Sequence, residues 1–292
     1  MEKKYRKILA AVDGSVASKN AFRRTCSMAR EGDSMMTALM SVPVYQDQFD
    51  VFTTKEKVTD TLRAEGDMIL SDIRKIAEEE HVPVRVMLDE GSPFKTIPAV
   101  ADEGGYDLIV MGRRGMTHLE RALMGSVTAR VIGHTQKDVL VVPDNASNGC
   151  RNVLLASDGS KHGLAAVNSA INYARSYKCQ LKIIQVVEVT DEFQACAPDA
   201  VDKMIFKAKK DLNDIKVRAE ESGVESEVFV REGRPYEVIT YLAGQLGAGV
   251  IVMGSHGRTG LTRLFMGSVT ARVIGHATCP VLVIKSNIMH NA

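Results

Sequence analysis

The sequence predicts two tandem α/β domains of the doubly wound, Rossmann-like kind. Three observations predict it. The string MGSVTARVIGH stands at Met124 to His134 and again, letter for letter, at Met266 to His276. Short apolar runs alternate with amphipathic helical stretches in both halves, the pattern of a parallel sheet covered on both faces. The stretch PDNASNGC, Pro143 to Cys150, has the Pro/Asn/Ser/Gly chemistry of a linker.

The repeat spans whole domains. Strand-like LIVMG and VIVMG precede the two copies and end at Gly112 and Gly254, 142 residues apart, while ILAAVDGS and VLLASDGS place Asp13 and Asp158 145 residues apart. A near-constant offset across the chain is duplication of a complete unit. The expected domains are 1–146 and 147–292.

In the first half, a strand is expected at Lys7 to Val12 and a helix from Ser15 to Glu31, stopped by Gly32. Met36 to Val42 follows as a strand, with Met35, Met36 and Met40 read as gap-filling core. An irregular segment, Pro43 to Thr54, leads to a long helix near Lys55 to Glu80 with Val58, Leu62, Ile69, Ile73 and Ile76 on one face. Strand Val84 to Leu88, helix Pro93 to Glu103, strand Asp107 to Met111, helix Ser126 to Gly133 and strand Val139 to Val142 complete it. The second half repeats this, with strands near Asn152, Lys182, Ser226, Val250 and Val281. Its long helix, about Ala197 to Ser222, carries Val201, Met204, Ile205, Ala208, Leu212 and Ile215 at helical spacing.

Composition narrows the function. The 292 residues carry 37 Lys+Arg against 36 Asp+Glu, a net charge of +1, which argues against a protein devoted to nucleic acid. Trp is absent and aromatics are 5%, so base-stacking platforms are not expected. Apolar runs such as Ile8 to Val12 fall far short of the roughly 20 residues of a membrane span. The opening MEKKYRKILAAVDG is basic, but its apolar run stops at Asp13, against a secretory signal. The five cysteines lack CxxC spacing, which predicts reduced thiols in the cytoplasm.

Each half carries Gly-x2-Gly-x9-Gly-Ser: Gly112, Gly115, Gly125, Ser126 and Gly254, Gly257, Gly267, Ser268. A glycine at a strand end lets the backbone approach an anion, and Gly-Ser opens the next helix, whose N-terminus favours negative charge. The serine can cap that helix or donate to a phosphate oxygen. Asp13 and Asp158 follow the first strands, where a doubly wound sheet binds its ligands. Such an acid can accept from a ribose or a base amine, or merely cap the helix.

ILAAVDGS, DLIVMGRRG, MGSVTARVIGH and VLVVP resemble the universal stress protein family, and VLLASDGS with GVIVMGSHGRTGLTRLFMGSVTARVIGHATCPVLVI resembles it more closely still. The resemblance covers essentially the whole chain. It implies five-stranded parallel sheets in order 3-2-1-4-5 and, in the nucleotide-binding branch, ATP, with Mg²⁺, held by the spaced glycines. By that match Asp13 and Asp158 meet the adenosine end, and Val42 and Val186 present backbone to adenine. Ala11, Val12, Met111, Arg114, Val127, Ser157, Met253, His256 and Val269, with the glycines and serines named above, complete the two expected sites. The family also implies pairing through final strands, here a pseudo-dimer within one chain, with a further homodimer as an extension.

The halves differ where Arg113 and Arg114 face Ser255 and His256, and where Met116 and His118 replace Arg258 and Gly260. The second half matches the commoner pattern, so its site is the safer of the two. No GxxxxGK[ST], HExxH, EF-hand or GxSxG motif is present, and no metal-ligating set of side chains is evident. His134 and His276 read as helix-end cations, and Cys279 as a buried thiol. The first expectation is therefore a nucleotide-binding stress-response protein that signals through conformation or partner choice. A slow ATPase or phosphoryl- or adenylyl-transfer enzyme is the alternative, and a nucleotide-independent scaffold the third.

Overall fold

The computed structural model describes residues 5–43, 52–115, 124–144, 152–160, 163–256 and 266–285. The chain divides into two compact units, one ending at Asn145 and the other starting at Ala146.

In the first unit the order is β1 (Lys7–Val12), α1 (Val16–Gly32), β2 (Met35–Val42), α2 (Phe52–Glu79), β3 (Arg85–Glu90), α3 (Pro93–Glu103), β4 (Leu108–Gly112), α4 (Ser126–His134) and β5 (Asp138–Val142). The strands pair in parallel in the order β3-β2-β1-β4-β5. Strands β1, β4 and β5 are buried along nearly their whole length, because helices cover both faces. Edge strand β3 is only half-buried and ends in charge. Helix α1 starts at Ser15, whose hydroxyl accepts from Ser18 N at 3.1 Å, and stops at Asp33 in the left-handed conformation. Phe22 and Cys26 of α1 meet Met36 of β2 and Leu70, Ile73 and Ile76 of α2 in one apolar cluster.

The second unit repeats the plan with β6 (Asn152–Ala156), α5 (Leu164–Ser176), β7 (Gln180–Val187), α6 (Asp191–Cys196), α7 (Pro198–Glu221), β8 (Ser226–Glu232), α8 (Pro235–Gln245), β9 (Ala248–Gly254), α9 (Ser268–His276) and β10 (Val281–Ile284). Its strands also pair in parallel, in the order β8-β7-β6-β9-β10. Both orders are the 3-2-1-4-5 arrangement that the resemblance implies.

Three details depart from the sequence reading. Short helix α6 was not expected; Thr190 caps it by accepting from Phe193 N at 3.2 Å, and Pro198 then opens α7. Met35 is 67% exposed, because it begins β2 at the rim of the sheet, whereas Met36 is core. Met204 lies at the edge of the apolar face of α7 and is also exposed, while Val201, Ala208, Leu212 and Ile215 are buried. Most of the irregular segment after Pro43 lies outside the described residues.

Candidate functional site

In each unit the first strand lies between the second and the fourth, so the chain reverses its winding there and the carboxyl ends of those strands flank a crevice. Asp13 stands at that point. Its Oδ1 accepts from Ser15 N at 3.0 Å and from Ser15 Oγ at 2.6 Å, and its own N–H donates to Ser18 Oγ at 3.3 Å. Gly14 makes this turn possible with φ +83°. The helix cap is thus Ser15, and Asp13 braces it from behind. Asp13 Oδ2 lies over the glycine loop, where a Cβ on Gly115 would come within 2.5 Å of it.

The loop after β4 folds back on itself. Arg113 N donates to Val142 O at 2.8 Å, Gly125 N donates to Arg113 O at 2.9 Å, and Thr128 Oγ1 donates to the Gly112 carbonyl at 3.0 Å. These bonds hold the start of α4 against the end of β4. Gly125 is the N-cap of α4 and supplies no side-chain cap; Ser126 is the first helical residue and is exposed. The expected capping role of Ser126 is therefore taken by Gly125, and its hydroxyl stays on the surface at a positive helix end.

Gly112 has a packing role beside the one that the sequence suggests. It is expected to bare its backbone to an anion, and a Cβ there would meet Ala17 C, Ala17 Cβ and Ser18 N at 2.9 Å. Its hydrogen faces the backbone of α1, so this glycine serves helix–strand packing. Arg113 and Arg114 bring two positive charges to the same loop. Burial draws the Arg113 guanidinium below its ordinary value, with Asp144 opposing that shift and Arg114 adding to it. Arg114 Nε is buried without a partner among the described residues.

The second unit is built alike but charged differently. Ser160 N donates to Asp158 Oδ1 at 2.9 Å, Gly159 N donates to Ser157 Oγ at 3.3 Å, and Gly159 has φ +72°. Gly267 N donates to Ser255 O at 2.9 Å and Thr270 Oγ1 donates to the Gly254 carbonyl at 3.0 Å. Gly267 caps α9 without a side chain, and Ser268 is again exposed. In place of the two arginines stand Ser255 and His256, with Ser255 Oγ 3.0 Å from His256 Nδ1. His256 Nε2 is buried and has no partner among the described residues. Gly257 lies outside the described residues.

Of the remaining expected residues, Ala11, Val12, Val42, Met111 and Met253 have buried side chains and can offer a ligand only backbone. Val127 and Val269 are half-buried on the first turns of α4 and α9. Val42 O accepts from Gly91 N at 2.8 Å; the matching bond in the second unit runs from Gly233 N to Val187 O at 3.2 Å. The counterpart of Val42 is therefore Val187, one residue beyond Val186, which pairs with Arg231 inside the ladder. Thr128 and Thr270, which fasten the loops, are not among the residues expected from the sequence. Their signal was present, since both lie in the duplicated string.

The model of the universal stress protein family matches residues 4–143 and again 149–285. The chain belongs to the universal stress protein family. Among curated relatives, a universal stress protein of Methanocaldococcus jannaschii is 36% identical over 146 residues, 48% of this chain and 85% of that protein. Universal stress protein YxiE of Bacillus subtilis is 31% identical over 144 residues, 46% of this chain and 97% of its own length. Among solved structures, a universal stress protein from Archaeoglobus fulgidus superposes with a TM-score of 0.74 at 22% identity, covering 97% of each chain, a likeness of fold. This universal stress protein thus carries two family units. Among its described residues no helix is long and apolar enough to cross a membrane.

Proposed function

We propose that this protein binds an adenine nucleotide, ATP with Mg²⁺, in each unit, and that occupancy changes its conformation or choice of partner. The observation that carries the reading is the meeting of Asp13 and Gly115 beside a helix start that no described side chain caps. A carboxylate that accepts from hydroxyls or an amine, and a positive helix end that favours phosphate, then lie at the two ends of one short crevice. Gly115, Gly125 and Ser126, with Arg113 and Arg114, would hold the phosphates in the first unit. Gly254, Gly267, Ser268 and His256 would do so in the second, and Asp158 would face the nucleoside. Bound Mg²⁺ would neutralise phosphate charge.

Ligand that binds only the folded state stabilises it, so occupancy is readable as a shift in melting temperature. The test is mass spectrometry of small molecules that accompany the purified protein, together with melting in ATP and Mg²⁺. An adenine nucleotide released on denaturation, and a higher melting temperature with ATP, are expected. A ligand-free protein whose melting is indifferent to ATP refutes the reading.

One observation favours a second reading, slow hydrolysis. Among the described residues His256 Nε2 lacks a partner while Ser255 engages Nδ1, so the ring has a nitrogen to offer a water or a phosphate oxygen. ADP release that disappears in His256→Ala would favour it.

A further inference from the structure

Beneath the first turn of each unit the two halves have diverged in kind. In the first, a Cβ on Gly14 would face Ile69 Cδ1 and Cγ1 at 3.0 Å, and Ile69 and Met40 pack on the apolar cluster. In the second, a Cβ on Gly159 would face Asp211 Oδ2 at 2.8 Å, with Gln185 Nε2 and Oε1 at 3.4 and 3.5 Å. Strand registers make the places equivalent: Ala11 pairs with Leu39 and Ala156 with Ile184, so Gln185 occupies the place of Met40. Asp211, on α7, occupies that of Ile69, on α2.

Gln185 is 4% exposed. Its Oε1 is buried without a partner among the described residues, and so is Asp211 Oδ2. Both acceptors lie near one point beneath Gly159, with the Gln185 amide nitrogen beside them; buried acceptors without donors are costly, and the apolar pair of the first unit avoids that cost. A group presenting two N–H bonds from one atom satisfies both oxygens together. A side chain at position 159 would strike Asp211 Oδ2 at 2.8 Å; glycine avoids that contact.

The position within the sheet selects the part of the ligand. The start of α9, which no described side chain caps, follows β9 on one side of β6, and Gln185 lies on β7 on the other side. Adjacent strands are about 4.8 Å apart, so a nucleotide with its phosphates at α9 and its sugar over β6 brings its base to β7. Resting on the nucleotide reading above, we propose that Gln185 and Asp211 read the exocyclic amine of the base, so that the second unit selects amino purines and the first does not.

The test is calorimetry on the full chain, unaltered and with Gly115→Val to silence the first unit, using ATP, ITP (oxygen in place of the amine) and 2′,3′-dideoxy-ATP. ATP is expected to bind the second unit at least about tenfold more tightly than ITP, as hydrogen bonds to a charged group allow. Any loss with the dideoxy compound should be the same in the parent chain and in the double variant, since the missing hydroxyls concern Asp158 and not the pair. The double variant Gln185→Met, Asp211→Ile, which installs the residues of the first unit, should bind ATP and ITP equally. Equal binding of ATP and ITP by the parent chain overturns the proposal, as does a preference that survives the double variant. A dideoxy loss that the double variant abolishes also overturns it, since the pair would then read the sugar. In each of those cases the triphosphate still binds and the nucleotide reading stands. If no nucleotide binds in any background, both fall.

Discussion

Asp13 and Gly115, far apart in the first unit's sequence, meet so closely that a single methyl group on Gly115 would lie 2.5 Å from Asp13 Oδ2. The carboxylate can occupy that place because its other oxygen is held by the N–H and hydroxyl of Ser15. A carboxylate fixed in direction before a ligand arrives does not lose side-chain entropy on binding.

Gly115→Val should therefore displace Asp13 and lower nucleotide affinity in the first unit by at least about tenfold, with a stability loss near 1 kcal/mol. Calorimetry and urea unfolding separate the two effects. A variant with wild-type affinity would show that the Asp13–Gly115 meeting does not shape the ligand site.

Gly112→Ala should behave in the opposite way. The new Cβ strikes the backbone of Ala17 and Ser18 at 2.9 Å, so about 1–3 kcal/mol of stability is expected to be lost through overpacking. At the matching position, Gly254→Ala meets, among the described residues, only the nearby His256 O at 3.2 Å, which a small shift of the loop relieves, and should cost less. Parallel urea titrations of the two variants check the ranking.

Thr128→Val and Thr270→Val keep the shape of the side chain but remove the donor to the Gly112 and Gly254 carbonyls. Each should cost about 1–3 kcal/mol, the price of a buried acceptor left without its donor. The glycine loops should loosen as well, and faster amide exchange at Gly125 and Gly267 would show it.

Burial pushes the Cys26 thiol up from 9.0 to about 12. The folded state holds this proton more tightly than the unfolded chain. The stability it contributes is therefore complete below about pH 9 and is lost as the pH rises towards about 12. Urea unfolding at about pH 8 and about pH 10.5 should show a steeper alkaline loss for the wild type than for Cys26→Ala. Exposed Cys196 should react at once with a thiol reagent, and Cys26 only on unfolding.

Much of this protein was legible as text. Duplication, strand–helix alternation and the spaced glycines follow from residue type and period, which are local properties. The apolar runs of β1, β4 and β5 needed no tertiary information to be read as buried parallel strands. Tertiary structure alone decided which glycine is used for what. Gly112 and Gly115 look equivalent in a motif, yet one packs on the α1 backbone and the other receives a carboxylate, because the difference lies in what the rest of the chain brings to each hydrogen. Likewise Gln185 and Asp211 are unremarkable letters on a strand and a helix. Only the strand register and the packing of α7 over β7 place them together beneath Gly159, where the first unit is apolar, since contact between distant segments is set by the fold and not by the spacing of residues along the chain.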